Sequence, residues 1–193
     1  MPKPSKKDDI LLAGFMLMYE RGFNATGIQE ITGAAGLPKG SFYNYFSSKE
    51  EFAFAALDVY DAELQKLRDF LKESPLPPAA RIRRFYEMQI RTFKERFELS
   101  RGCFASNFTL ELADTQPKIA ARAEEIFREN EKALQRCLME AEQAGELRVE
   151  ASPAELAANF QNGWSGALLR MKSSRTAKPL MGFRKSLEFF LKD

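Results

Sequence analysis

Apolar residues recur along this chain at the three- and four-residue spacing of amphipathic helices, whereas strand signals are almost absent. Glycines and prolines punctuate the pattern. The predicted helices cover 8–20, 28–35, 49–72, 79–98, 103–113, 117–144, 153–172 and 179–192, with a short aromatic helix after Pro38. The predicted fold class is therefore all-α: an N-terminal three-helix domain with a helix-turn-helix outline, followed by a C-terminal helical bundle.

The stretch GLPKGSFYNYFSSKE, residues 36–50, carries four aromatic residues in five positions. Helical periodicity divides them, since Phe42, Tyr45 and Phe46 share one face and are expected to pack on Phe15, Met18 and Tyr19 of the first helix. The opposite face is polar and holds Gly40, Asn44 and Ser47, flanked by Ser41 and Tyr43. A short helix, a glycine turn and a second short helix outline a helix-turn-helix, although an ordinary three-helix core with an incidental polar face fits the same spacing.

The polar face has the chemistry of a DNA-reading surface. Asn44 can read an adenine edge, Ser41 and Tyr43 can donate to phosphate, and Gly40 permits close backbone approach. Lys39 and Lys49 lie at helix N-termini, which also favour phosphate. Basic and acidic residues are nearly balanced in residues 1–50, so binding would depend on a few placed contacts and on a second copy of the domain.

A family resemblance follows from the residues of this region. The runs are Gly22-Phe23-Asn24-Ala25-Thr26-Gly27-Ile28, Ala34-Ala35-Gly36-Leu37, Lys39-Gly40-Ser41-Phe42-Tyr43-Asn44-Tyr45-Phe46 and Ser48-Lys49-Glu50. They closely resemble the DNA-binding domain of the tetracycline-repressor (TetR) family. The resemblance implies a homodimeric bacterial transcriptional regulator, usually a repressor, that binds a double-stranded DNA operator and a small organic inducer. It implies DNA contacts from Thr26, Gln29, Lys39, Ser41, Tyr43, Asn44 and Lys49.

Three positions depart from the family pattern: Gly27, Thr32 and Pro38 stand where Ser or Thr, Ala and Ser are usual. Positions 27 and 38 therefore lack the hydroxyl with which family members contact phosphate, so the resemblance implies no phosphate contact there and no particular operator sequence. The predicted domains are residues 1–48 for DNA binding and residues 49–193 for ligand sensing and dimerisation.

The last two predicted helices carry apolar stripes that suit a dimer interface. The candidate interface residues are Ala157, Gly163, Ala167, Leu168, Phe183, Leu187 and Phe190. Four such helices, two from each subunit, resemble the usual interface of the family. Packing within one subunit explains the same stripes equally well.

The middle of the chain resembles the sensor half of the TetR subgroup that includes the N-ethylmaleimide repressor and acrylate-responsive regulators. The resemblance rests on Arg101-Gly102-Cys103-Phe104, Asn107-Phe108, Glu111-Leu112-Ala113-Asp114 and residues 162–172. It implies that Cys103, near a helix N-terminus, is a reactive thiol, with Arg170 or Lys172 as an activating cation. The candidate ligand or redox-sensing residues are Cys103, Asn107, Phe160, Trp164 and Lys172. A buried, inert Cys103 is the alternative, and Cys137 is expected in the core.

Composition narrows the function classes. The chain has 193 residues, 45% of them hydrophobic, with no histidine and two cysteines. Histidine-based catalysis and a His/Cys metal site are therefore excluded, and we expect no cofactor, no metal and no enzymatic activity. The polar N-terminus and the lack of a long apolar run predict a soluble, cytoplasmic protein. The alternative function is a helical ligand-binding or scaffold dimer without specific DNA binding.

Overall fold

Helices make up nearly all the regular structure in the computed structural model, which describes residues 5–192. The α-helices are α1 (Lys6–Arg21), α2 (Ile28–Ala34), α3 (Lys49–Glu73), α4 (Pro78–Glu95), α5 (Phe104–Leu112), α6 (Pro117–Gln143), α7 (Pro153–Ser174) and α8 (Lys178–Ser186). Two 3₁₀ helices span Lys39–Asn44 and Leu187–Phe189. The prediction of an all-α fold is confirmed.

Local sequence explains where the first helix begins. The hydroxyl of Ser5 accepts a hydrogen bond from the backbone N–H of Asp8 at 3.2 Å, and the Asp8 carboxylate accepts one from the Ser5 N–H at 3.0 Å. Ser152 and Glu155 form the same reciprocal pair at the start of α7. Each pair satisfies two backbone donors that a helix N-terminus leaves open.

Two predicted helix ends differ from the structure. Helix α4 ends at Glu95 rather than at residue 98, because Glu98 and Leu99 adopt positive φ angles of 47° and 58°. The last helix was expected to reach residue 192, but α8 ends at Ser186. After the second 3₁₀ helix, Leu191 forms an isolated antiparallel bridge with Leu147, so this backbone pairs with another segment instead of continuing a helix.

The chain divides into two compact units. The first comprises residues 1–62 and 104–124, and so includes α1, α2, the first 3₁₀ helix and α5. Its core contains the rings of Phe42 and Phe46, whose centroids lie 5.6 and 5.0 Å from that of Phe52 in α3. On the α1 side, the Nζ of Lys7 lies 5.4 Å from the centroid of the Phe46 ring. Phe15 and Tyr19 of α1 contact the ring of Phe104 of α5, and the expected packing of the aromatic face on these α1 side chains stays a prediction. Tyr45 is only half-buried.

The second unit comprises residues 63–103 and 125–193. It contains α4, α7 and α8, and its core is rich in aromatic and aliphatic side chains. The buried members include Ile82, Phe85, Tyr86, Leu138, Leu156, Phe160, Trp164, Leu168, Met171, Leu180 and Leu187. The predicted domain boundary after residue 48 stays a prediction.

Candidate nucleic-acid interface and sensing site

Two glycine-containing turns connect α1, α2 and the 3₁₀ helix Lys39–Asn44, which we call the recognition helix. Gly22 ends α1 with φ +89°, and Gly36 follows α2 with φ +68°. Both values lie in the region that glycine adopts without steric cost. The N–H of Leu37 then donates to the carbonyl of Thr32 at 2.9 Å, which closes the C-terminus of α2. These turns present the recognition helix at the surface.

The recognition helix separates a buried aromatic face from an exposed polar face. Phe42 is fully buried, whereas the adjacent Tyr43 is 57% exposed. Of the predicted DNA contacts in this helix, Lys39, Gly40, Tyr43 and Asn44 are exposed and Ser41 is half-buried. A Cβ added at Gly40 would meet nothing within 4 Å, so the backbone there is open to approach. The polar groups are thus available to a partner.

The remaining predicted DNA contacts lie in different environments. Gln29 is exposed on α2. Thr26 is only 1% exposed and its hydroxyl donates to the carbonyl of Gly22 at 2.7 Å, so this side chain fixes the turn before α2. The Nζ of Lys49 lies 4.2 Å from the ring centroid of Phe23, and desolvation there lowers the pKa of Lys49. Lys49 is nevertheless half-exposed at the start of α3.

The predicted dimer residues differ in how much of their surface is exposed. Ala157, Ala167, Leu168 and Leu187 are buried by packing within the chain and expose little surface to a second copy. Gly163 receives the ring of Phe183 from the same chain, 3.0 Å from a Cβ added there. Phe183 and Phe190 are half-buried and contact Phe160. Packing within the chain therefore accounts for the four buried residues. Gly163 is exposed, and an interface that includes Gly163, Phe183 and Phe190 stays a prediction.

Sequence reasoning missed three exposed apolar residues on the same helices. They are Leu169 on α7, Met181 on α8 and Phe189 on the second 3₁₀ helix. Met181 also lines a groove between α4 and α8. An apolar residue that falls outside the buried stripe of an amphipathic helix was the available signal.

The predicted sensing residues lie in both units. Cys103 is a buried thiol at the end of one segment of the second unit, and Asn107 is buried on α5 of the first. Lys172 is half-buried on α7. Burial raises the pKa of the Cys137 thiol to about 12, which matches its predicted core position. Phe160 and Trp164 are buried on α7.

Trp164 belongs to a compact cluster on α4, α7 and α8. Its ring lies 5.2 Å from Tyr86, 6.4 Å from Phe93 and 5.5 Å from Phe183. Its indole N–H donates to Oε1 of Gln89 at 3.2 Å. Among the described residues, neither the Tyr86 hydroxyl nor the Nε2 of Gln89 has a hydrogen-bond partner, although both are buried. We call these five residues the aromatic cluster.

The two unpaired polar groups of the aromatic cluster escaped sequence reasoning. Tyr86 and Gln89 are three residues apart on α4, so they share a helix face whose neighbouring positions are apolar. A polar pair on such a stripe is a usable signal, since buried polar groups are normally satisfied. Burial also raises the pKa of Tyr86 far above its usual value, which keeps the phenol neutral and able to donate.

No group of three or more His, Cys, Asp or Glu side chains in residues 5–192 could hold a metal ion. No helix in the same range is long and apolar enough to cross a membrane.

Comparison with known proteins assigns the family. Residues 10–56 match the profile described as "Bacterial regulatory proteins, tetR family", and residues 78–187 match "Tetracyclin repressor-like, C-terminal domain". The chain is 32% identical over 184 residues to the HTH-type transcriptional repressor DhaR of Mycobacterium sp. (strain GP1), covering 95% of this chain and 90% of DhaR. It is 30% identical over 175 residues to the HTH-type transcriptional repressor NemR of Escherichia coli (strain K12), covering 90% and 87%.

A solved structure gives the same result. The regulatory protein TetR from Rhodobacter sphaeroides superimposes with a TM-score of 0.88 and 31% identity, covering 95% of this chain and 97% of that chain. The first match includes most of α1, all of α2 and the recognition helix, which we call the reading helices, and the second match includes α4 to α8. This chain belongs to the TetR family of DNA-binding transcriptional regulators, which are not enzymes.

Proposed function

We propose that this protein is a cytoplasmic homodimeric repressor that releases a two-fold operator when a small organic inducer binds. One observation carries the DNA-binding part: the recognition helix buries Phe42 and exposes Tyr43 and Asn44. We retain residues 1–48 as the DNA-binding domain and residues 49–193 as the sensing and dimerisation domain. The proposed DNA contacts are Gln29, Lys39, Gly40, Ser41, Tyr43, Asn44 and Lys49. Thr26 is left out because its hydroxyl already bonds to Gly22.

Each exposed side chain of the recognition helix suits one kind of contact. The amide of Asn44 can donate to and accept from one adenine edge in the major groove, so it reads sequence. The Tyr43 hydroxyl and the Lys39 ammonium suit phosphate oxygens, which fix position without reading sequence. Gly40 lets the backbone approach the DNA closely because it has no side chain.

A second copy of the chain provides the second recognition helix that a two-fold operator requires. A two-fold dimer places its two recognition helices about 34–36 Å apart, one turn of DNA, or a multiple of that spacing. Leu169, Met181 and Phe189 expose apolar surface on consecutive elements, which supports an interface there. Replacing Met181 and Phe189 by Asp is expected to yield monomers in sedimentation, and a dimer that persists would contradict this interface.

The DNA-binding proposal is tested by selecting duplexes from random DNA on the purified protein. We expect a two-fold-symmetric site to be enriched. The double variant Tyr43→Ala, Asn44→Ala should fold and lose that site, since both side chains are exposed. A chain that enriches no site at low salt, where phosphate contacts are strongest, would instead be the helical scaffold dimer.

The aromatic cluster is the proposed inducer site. An unpaired buried donor costs about 1–3 kcal/mol, which a ligand acceptor can recover. The Oε1 of Gln89 already accepts a hydrogen bond from Trp164, whereas its Nε2 can still donate one to a ligand. The neutral phenol of Tyr86 is a second donor. Two neutral donors among aromatic rings suit a small, planar, uncharged molecule with a carbonyl oxygen.

Release of DNA follows from a population shift. The aromatic cluster is closed, because Tyr86, Gln89 and Trp164 are all buried. A ligand must therefore bind an opened arrangement of α4, α7 and α8 and shift the population towards it. Only a difference in operator affinity between the two arrangements can release DNA.

Trp164 is the only tryptophan in the chain, so its fluorescence reports directly on this site. We would titrate the protein with acetophenone and with α-methylstyrene, which replaces the carbonyl by an alkene of similar shape. We expect saturable binding of acetophenone at least about ten-fold tighter than that of α-methylstyrene.

Tyr86→Phe provides the matched variant for this titration. Tyr86→Phe should reduce the ratio of the affinity for acetophenone to the affinity for α-methylstyrene, because one donor to the carbonyl is lost. It should also raise the free energy of unfolding of the ligand-free protein, because it removes an unpaired buried hydroxyl. Equal binding of both probes to the unaltered protein would contradict the inducer class.

The thiol of Cys103 is a second candidate sensor. Cys103 is the last residue of segment 63–103 of the second unit, and α5 begins at the next residue. Treating the DNA-bound protein with a mild electrophile tests this prediction, with Cys103→Ser as the control. We expect release by the unaltered protein and retention by the variant, and release by both would exclude Cys103.

A further inference from the structure

Glu111, on the last turn of α5, binds the turn that joins α1 to α2. Its carboxylate accepts a hydrogen bond from the backbone N–H of Phe23 at 3.2 Å and another from that of Asn24 at 2.8 Å. Phe23 and Asn24 come directly after Gly22, where α1 ends. The contact joins residues 87 and 88 positions apart in sequence, and all of them belong to the first unit.

The turn is shaped to receive this carboxylate. A Cβ added at Gly22 would lie 2.3 Å from Oε1 of Glu111, and the φ of +89° at Gly22 disfavours any other residue. On the other side of the turn, the Thr26 hydroxyl donates to the carbonyl of Gly22 at 2.7 Å. The backbone between α1 and α2 is thus held both by its own threonine and by α5.

Aromatic contacts reinforce the same attachment. The ring of Phe23 lies 6.2 Å from that of Phe108 on α5, and the Nζ of Lys49 lies 4.2 Å above the Phe23 ring. Phe108 also contacts Phe104, one helical turn earlier, at 4.2 Å. Phe104 in turn contacts Phe15 of α1 at 5.0 Å. Helix α5 therefore contacts the reading helices through the Glu111 carboxylate and the rings of Phe104 and Phe108.

We propose that Glu111 is a positioning residue for operator binding. It holds the α1–α2 turn, and through α2 it sets the orientation of the recognition helix, without contacting DNA itself. Helix α5 begins at the residue after Cys103, where the chain passes from the second unit into the first. Within the first unit, Glu111 attaches the α1–α2 turn to α5, beside the ring contacts of Phe104 and Phe108. This inference rests on the proposed function, since it concerns affinity for an operator.

An electrostatic role and a positioning role of Glu111 predict opposite changes in operator affinity when its carboxylate is removed. Loss of a negative charge from a DNA-binding protein strengthens its attraction to phosphate. Loss of the carboxylate that holds the turn makes the reading helices mobile and weakens operator binding. The sign of the change therefore separates the two explanations.

The test compares Glu111→Ala with Glu124→Ala, which removes an exposed acidic residue of α6 from the same unit. Affinity is measured on the duplex selected by the unaltered protein. We expect Glu111→Ala to bind about ten-fold more weakly, as expected for hydrogen bonds to a charged group. Glu124→Ala should bind as tightly as the unaltered protein or more tightly. Glu111→Gln, which keeps one acceptor, should fall between Glu111→Ala and the unaltered protein.

Amide hydrogen exchange supplies a readout that needs no DNA. Glu111→Ala should lose protection at the N–H groups of Phe23 and Asn24, whereas protection in α7 should not change. Unchanged exchange at both amides, or equal or tighter operator binding by Glu111→Ala, would overturn the proposal. If the unaltered protein selects no operator but these amides lose protection, the proposed function fails while the structural role of Glu111 stands.

Discussion

Truncating Phe42 and truncating Tyr43, which are adjacent in the recognition helix, are expected to affect different properties. Phe42→Ala should mainly lower the free energy of unfolding, and Tyr43→Ala should mainly lower operator affinity. Phe42 is fully buried and its ring contacts Phe46 at 5.4 Å and Phe52 at 5.6 Å. Truncating such a phenylalanine to alanine costs about 3–5 kcal/mol of unfolding free energy, from lost burial and from the cavity left behind. Phe42→Ala should therefore lower stability severely and weaken DNA binding only because the reading helices lose their packing.

Tyr43 differs because more than half of its side chain faces solvent. Its edge contact with Phe42, at 5.5 Å, is worth about 0.5–1.5 kcal/mol. Tyr43→Ala should thus lose about 1 kcal/mol of unfolding free energy and keep its fold, yet bind the operator at least about ten-fold more weakly, since it removes a proposed phosphate contact.

Chemical denaturation and operator titration of both variants form the assay. We expect the two unfolding free energies to differ by at least about 2 kcal/mol, with Phe42→Ala the less stable. A Tyr43→Ala variant as unstable as Phe42→Ala would refute the division of the recognition helix into a packing face and a reading face. Unchanged operator affinity in a folded Tyr43→Ala variant would remove Tyr43 from the contact set.

Three further predictions concern pH, thiol reactivity and a turn. Hydrogen bonds from Arg83 and, less strongly, from Arg184 lower the pKa of Glu188 to about 2. The contribution of the Glu188 carboxylate to the free energy of unfolding is therefore present above pH 4.5 and is lost as the pH falls towards 2. Glu188 is 38% exposed, so Glu188→Gln should flatten that acid transition by only about 1 kcal/mol, measured by denaturation at several pH values. A maleimide at pH 7 should leave Cys137 unlabelled in the folded protein and label it after unfolding, as mass spectrometry would show, because burial raises the pKa of Cys137 to about 12. Gly22→Ala should cost about 1–3 kcal/mol of unfolding free energy because it strains a positive φ, whereas the control Gly33→Ala, with open space around its Cβ, should not destabilise.

Periodicity predicted the fold and the faces of the recognition helix because both depend on neighbouring residues. The burial of Phe42 and Phe46 and the exposure of Asn44 follow from helical spacing alone. The ring partner Phe52 did not follow, since spacing within one helix does not identify the helix packed against it.

Periodicity does not distinguish a dimer interface from the core of one subunit. An apolar stripe looks alike whether it meets its own subunit or a second copy, and two residues of the predicted interface, Ala157 and Leu187, are buried by packing within the chain. The contact between Glu111 and Asn24 spans 87 residues, and no local pattern indicates it. The unpaired groups of Tyr86 and Gln89 were within reach of sequence reasoning, because both lie on the apolar stripe of α4.

The central claim is that the exposed face of the recognition helix reads DNA. The most direct test measures the affinity of Asn44→Ala and of Lys39→Ala on a set of operators that differ at single base pairs. Asn44→Ala should lose discrimination at one adenine in each half-site, a loss of about 1–3 kcal/mol, and keep it elsewhere. Lys39→Ala should weaken binding to every sequence alike and reduce the salt dependence by about one phosphate contact. An Asn44→Ala variant that keeps the full base preference of the unaltered protein would contradict the account.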